Sequence, residues 1–144
     1  MAAFLPDTNC MIAAVSGWHE HHLRAAAEFE RRFARRETLA VAAPALVEAY
    51  AVLTRLPAAH RLASDVALAL LEENFLARGK IVALDARRYA NLLRDATERD
   101  IRGGRTYDAV IAACALRAKV RALVTFNDDH FAAFADRGLE IVVP

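Results

Sequence analysis

Apolar residues along the chain fall into two alternating textures. Short runs at 2–5, 39–43, 81–84, 122–125 and 140–143 have the length and flanks of buried strands. Between them lie longer stretches rich in alanine, leucine and arginine, at 19–36, 45–53, 61–78, 86–100 and 107–119, which prefer helix. Within 19–36, Leu23, Ala26, Ala27, Glu30 and Phe33 recur at helical spacing with arginines elsewhere, which predicts one inward stripe. Turn signals at Ser16-Gly17, Leu56-Pro57, Gly79, Gly103-Gly104 and Gly138 separate the segments. Strands that alternate with helices are joined by right-handed crossovers. The expectation is an α/β fold with three layers, α/β/α, around a mainly parallel central sheet of about five strands.

Composition narrows this picture. A chain of 144 residues that is 56% apolar can bury a sizeable core as one domain over 1–144, and no internal repeat or linker-like tract divides it. The formal net charge is only +1, so any contact with a polyanion must be local rather than the product of a global basic field. Cys10 and Cys114 sit inside apolar helical patterns, where free thiols behave as small hydrophobes. The first residues lack the pattern of a secretion signal, and no apolar run is long enough to cross a bilayer, so a cytoplasmic protein with no membrane partner is expected.

Candidate chemistry lies in the carboxylates. In an open α/β sheet the ligand crevice forms beyond the carboxyl ends of the strands. Asp7, with Thr8 and Asn9, follows the first strand; Asn127, Asp128 and Asp129 follow the strand that ends at Thr125. Asp7 also suits the N-cap of a helix leading to Met11-Ile12. Glu48 interrupts a helical segment that is apolar almost all round, so the segment is expected to be buried and the carboxylate to need a cation, a hydrogen bond or an arginine. Asp108 opens a similarly apolar helix, where an acid also complements the helix dipole and Thr106 suits the N-cap.

Four acids available to one crevice would repel one another. Mg²⁺ or Mn²⁺ removes the conflict, because hard cations take oxygen ligands, and the lack of histidine or cysteine partners argues against structural zinc. His19-Glu20-His21-His22 puts two imidazoles at i and i+3, but with no further ligand nearby it reads as a polar helix start or groove wall. A carboxylate site holding one or two divalent ions hydrolyses phosphodiesters. Arg102 and Arg105, which flank Gly103-Gly104, are candidate phosphate contacts, or else part of a solvated loop.

Taken together, Asp7-Thr8-Asn9, Ala45-Leu46-Val47-Glu48, the run Tyr107-Asp108-Ala109-Val110-Ile111-Ala112-Ala113, and Thr125-Phe126-Asn127-Asp128 with Phe131 resemble the PIN domain, particularly its VapC-like toxin branch. The likeness spans almost the whole chain. It implies an endoribonuclease that cuts RNA with Mg²⁺ or Mn²⁺, forms a homodimer and is silenced by a VapB-like antitoxin whose tail occupies the active-site groove. It also implies that Asp7 and Asp108 are metal ligands and catalytic residues, with Glu48 a ligand directly or through water. At the fourth position either Asn127 serves as a neutral group or Asp128 substitutes, and Thr8, Asn9 and Thr125 orient the carboxylates. Two other readings stay open. An aspartate after a first parallel strand also begins haloacid-dehalogenase-like phosphohydrolases, although Asn9 stands where their second aspartate is expected. The other is a catalytically inert PIN-like module that binds RNA or a partner.

Overall fold

The computed structural model describes residues 2–144. Its five strands are β1 (Ala3–Pro6), β2 (Thr38–Ala42), β3 (Lys80–Val82), β4 (Ala122–Val124) and β5 (Glu140–Val142). All neighbours pair in parallel, in the order β3-β2-β1-β4-β5. Successive residues of β1, β2 and β4 are buried (Phe4, Leu5 and Pro6; Leu39 to Ala42; Ala122 to Val124), and because successive strand residues point to opposite faces, both faces are covered. The expected α/β/α layering follows.

The helices are α1 (Thr8–Val15), α2 (His22–Ala34), α3 (Ala43–Arg55), α4 (Ser64–Leu71), α5 (Ala86–Glu98), α6 (Arg105–Arg117) and the single turn α7 (Asp128–Phe131). The helical segment expected over 61–78 is shorter than its composition suggests: it begins at Ser64, and after Leu71 it passes into a π-helical turn, Glu72–Leu76. Gly79 then allows the chain to fold back onto the sheet. A Cβ there would lie 2.8 Å from both the Phe75 carbonyl oxygen and Val41 Cγ2. The segment after β4, α7 followed by the 3₁₀ turn Ala132–Arg137, is too short in each part to announce itself by periodicity; it anchors through buried Phe131 and Phe134.

Two expectations about helix faces are corrected. In α2 the buried line is Ala25, Glu28, Phe29 and Arg32, whereas Leu23 is 82% exposed and Glu30 is also exposed. The inward stripe carries charge because the charges satisfy one another. Arg32 Nε donates to Glu28 at 3.1 Å and its Nη1 to Glu37 at 2.9 Å, while its guanidinium lies 5.4 Å from the centre of the Phe4 ring. In α3 only Ala45, Ala49 and Leu53, spaced four apart, are buried; Val47 is 72% exposed and Glu48 is exposed too. A helix apolar all round is therefore not buried all round, and Glu48 is a rim carboxylate rather than a buried charge. Both thiols are free and buried, and burial pushes each above its ordinary value, Cys114 to about 11, which makes them unreactive packing groups.

Candidate active site

The chain lays β1, β2 and β3 toward one edge of the sheet and then returns to add β4 and β5 beyond the other side of β1. The strand order thus reverses between β1 and β4, and a crevice belongs at their carboxyl ends. Asp7 stands there, immediately after Pro6, which is level with Val124 in the sheet. Its backbone N–H donates to Val124 O at 3.0 Å, extending the β1–β4 pairing by one bond.

Asp7 is the N-cap of α1 and also a member of the crevice. Its Oδ1 accepts from the Cys10 N–H at 2.8 Å, which satisfies one of the free donors of the helix start. Its Oδ2 accepts from the Thr125 hydroxyl at 2.5 Å, and Thr125 Oγ1 in turn accepts from the Asn127 N–H at 2.9 Å. Asp7 is only 5% exposed. Desolvation dominates its electrostatics and raises its pKa from 3.8 to about 6; the two hydrogen bonds oppose the rise, and the charges of Asp108 and Glu48 add to it.

A small crevice of about 30 Å³ is lined by Asp7, Thr8, Asn9, Glu48, Tyr107, Asp108 and Ile111. Three of the four expected acids therefore share it, delivered by the end of β1, by α3 and by α6. Thr8 Oγ1 links two of these elements through a long hydrogen bond of 3.4 Å to Glu48 Oε2. Asp108 sits in the first turn of α6, which begins at Arg105, so Thr106 lies inside the helix and Gly104 takes the N-cap position without a side-chain bond. Partial burial raises the Asp108 pKa, opposed by His130, whose Nδ1 lies 3.0 Å from Asp108 Oδ2, and by the charge of Arg105.

His130 is the residue that sequence reasoning missed. It lies on α7, a turn with no periodic signal, and only the packing of α7 against α6 carries it to Asp108. Asp128, the first residue of α7, is exposed and does not line the crevice, and neither does Asn127, whose link to the site is its backbone N–H. Arg102 pairs with Asp100 at 3.2 Å on an exposed loop. The histidines of 19–22 make local contacts: His22 Nδ1 lies 2.8 Å from Ala13 O, and the His21 N–H donates to His19 Nδ1 at 3.0 Å.

The residues matching a single family model run from 4 to 137, and that model is the PIN domain. The chain belongs to the PIN-domain family. Ribonuclease VapC40 of Mycobacterium tuberculosis is 36% identical to it over 118 residues, covering 82% of each chain. Ribonuclease VapC27 of the same species is 37% identical over 109 residues, 76% of this chain and 74% of the relative. Among solved structures, Mycobacterium tuberculosis VapC20, described as a Sarcin-Ricin loop cleaving toxin, superposes with a TM-score of 0.70 at 18% identity, covering 91% of this chain and 95% of that one. Rickettsia felis VapBC2, bound to a DNA fragment from its promoter, gives 0.69 at 20% identity and covers 98% of both chains. The PIN domain described above is thus VapC-like, with its three crevice acids on the elements expected to carry them.

The donor set of this PIN domain fits a hard cation. It consists of carboxylate, hydroxyl and amide oxygens around a buried acid that has no basic side chain in contact with it. Among the described residues no three acidic, histidine or cysteine side chains stand in a ready-made ligating cluster. Mg²⁺ keeps several waters and is commonly held by one or two carboxylates together with substrate phosphate. Beside the crevice, and sharing Glu48, Tyr107 and Ile111 with it, runs an apolar groove of about 770 Å³ between α3, α5 and α6, lined further by Pro44, Val47, Tyr89 and Val110.

Proposed function

We propose that this PIN domain is a Mg²⁺- or Mn²⁺-dependent endoribonuclease, the toxin of a VapBC-type pair. The observation that carries the reading is the buried, desolvated Asp7 facing Asp108 and Glu48 with no internal counter-charge. A divalent cation, when bound, supplies the positive charge that stabilises a phosphodiester during hydrolysis. Asp7 and Asp108 would hold it directly, and Glu48, at the rim, directly or through water. Thr125 and the α1 N-terminus orient Asp7; Thr8 orients Glu48; His130 orients Asp108. Asn127 contributes through its backbone, and Asp128 takes the fourth acidic position only if a bound RNA or cation draws α7 inward. Arg105, at the start of α6 and acting by its charge on Asp108, would contact phosphate, as would Arg102 on the preceding loop.

The partners proposed are RNA and a VapB-like antitoxin, whose tail would fill the apolar groove beside the acids. The pair would work in the cytoplasm; no helix among the described residues is long and apolar enough to cross a membrane. A homodimer is proposed from the family and from exposed apolar side chains outside that groove, such as Val66 and Leu68. Sedimentation that showed a monomer at micromolar concentration would remove it.

The test of the activity is cleavage of RNA by chelator-stripped protein with and without added Mn²⁺, alongside calorimetric titration of Mn²⁺ into wild type and Asp108→Asn. Cleavage and binding that both appear with the ion and vanish in the variant support the proposal. Metal-independent cleavage, or activity surviving Asp7→Asn with Asp108→Asn, would overturn it.

A further inference from the structure

A ladder of planar rings borders the acidic corner. Phe126 directly follows Thr125, whose hydroxyl holds Asp7. His21 stacks on Phe126 with centroids 4.4 Å apart and planes 17° from parallel, and the Arg24 guanidinium lies 5.3 Å from the centre of the same ring. His19 follows at 5.7 Å from His21, and Trp18 at 5.6 Å from His19. Trp18 then stacks on His60, 4.5 Å away and 17° from parallel. Three separate segments supply these rings: the loop after α1, the loop after α3 and the turn after β4.

Phe126, the innermost rung, packs against the core, whereas the outer rungs lie outside it. Trp18 is 44% exposed and His60 is exposed, so the outer rungs reach solvent, each covering one face of the other. The loops that present them are tied down locally, by the His21 N–H to His19 Nδ1 bond and by the His60 N–H donating to Pro57 O at 2.9 Å. A large ring held in a defined orientation at the surface, rather than packed inward, is a preformed stacking surface.

Charge supplies the second half of the argument. With a net charge of +1 and an acidic crevice, the chain has no strong field to hold a polyanion, and its own carboxylates repel phosphate. Affinity for a single strand beyond the local contacts of the cation and Arg105 needs another source, and base stacking on aromatic faces provides one with little dependence on sequence.

We propose that Trp18 and His60 form a platform on which unpaired bases of single-stranded RNA stack, with His21, Phe126 and Arg24 as the inner rungs leading the strand toward Asp7. The proposal rests on the ribonuclease reading for its substrate, but its test does not require cleavage. Trp18 is the chain's only tryptophan, so its fluorescence reports on the platform alone.

Wild-type protein in chelator would be titrated with single-stranded hexa-adenylate, with an RNA duplex and inorganic polyphosphate as controls. Saturable quenching by the single strand and none by either control is expected. By anisotropy of labelled hexa-adenylate, Trp18→Ala and His60→Ala each weaken binding about 5- to 10-fold, while Trp18→Phe, which keeps a ring and controls for folding, stays within about twofold. Absence of quenching, equal quenching by polyphosphate, or unchanged affinity in both alanine variants overturns the platform. Divalent-dependent cleavage of a longer RNA, measured separately, distinguishes the two readings. An unchanged KM in Trp18→Ala sinks the platform and leaves the nuclease. Quenching by hexa-adenylate in a protein that cleaves no RNA sinks the nuclease and leaves the platform.

Discussion

Two buried acids in this molecule live under opposite conditions. Glu28, on α2, is buried together with Arg32; it accepts from Arg32 at 3.1 Å and from Arg31, and Arg32 goes on to Glu37. Asp7 is as deeply buried, yet its partners are one backbone N–H and one hydroxyl, and the charges nearest to it are two more acids. The first acid carries its counter-ion within the chain and is a structural device. The second lacks one, so beyond its two hydrogen bonds its negative charge is balanced only when something positive arrives from outside. The contrast separates a packing charge from a site charge more sharply than burial does.

The largest effect expected from disturbing this contrast falls on the structural side. Arg32→Ala leaves Glu28 and Glu37 without their shared cation and should lower stability by about 3–5 kcal/mol in chemical denaturation at neutral pH. Adding Glu28→Gln to that variant should recover part of the loss; a double variant no more stable than Arg32→Ala would argue against the ion-pair account.

On the site side the sign reverses. The folded pKa of Asp7, about 6, lies above its ordinary 3.8, so between those values the native state binds more protons than the unfolded one. Wild-type stability therefore falls as pH rises from about 4 to 6 and stays reduced above that, by at most about 3 kcal/mol at roughly 1.4 kcal/mol per unit. Asp7→Asn removes the penalty and can still accept the Cys10 N–H. In chelator at pH 7.5 it should be about 1–3 kcal/mol more stable than wild type, with the gain gone near pH 4, while RNA hydrolysis falls on the order of a thousandfold. Mn²⁺ should raise the melting temperature of wild type and leave that of the variant unmoved. A variant less stable than wild type at pH 7.5 would mean that Asp7 carries no stored penalty.

Smaller effects probe the groups that orient the acids. Thr125→Val removes the hydroxyl that lowers the Asp7 pKa and should reduce kcat/KM about tenfold, with the acid limb of the rate profile moving to higher pH. His130→Ala removes both influences by which that residue lowers the Asp108 pKa, so the same limb should move upward with only a few-fold loss at its plateau. A pH profile unmoved in either variant would reduce that residue to a packing role.

Much of this was legible in the residues. The alternation of short apolar runs with helical segments predicts the parallel sheet, since each texture depends only on neighbours along the chain, and Asp7, Glu48 and Asp108 stand out because acids are rare within apolar segments. Glu48 was legible as a candidate but not as a rim residue. An apolar helix looks buried in sequence, but α3 turns one line of small residues inward and leaves Val47 and Glu48 outside. The inward face of α2 is hidden in the sequence for the complementary reason: Arg32 and Glu28 have the character of surface residues until their partners are known.

By itself, then, the sequence determined the element types, their order, and which acids were candidates for one crevice, because local periodicity and composition carry that information. Only the tertiary structure decided which groups meet. Thr125 reaches Asp7 across 118 positions because β4 pairs with β1. His130 reaches Asp108 because a short turn after β4 packs on α6, while Asp128, two residues earlier, is exposed and does not line the crevice. Such contacts follow from strand pairing and helix packing at long range, and no periodicity along the chain encodes them.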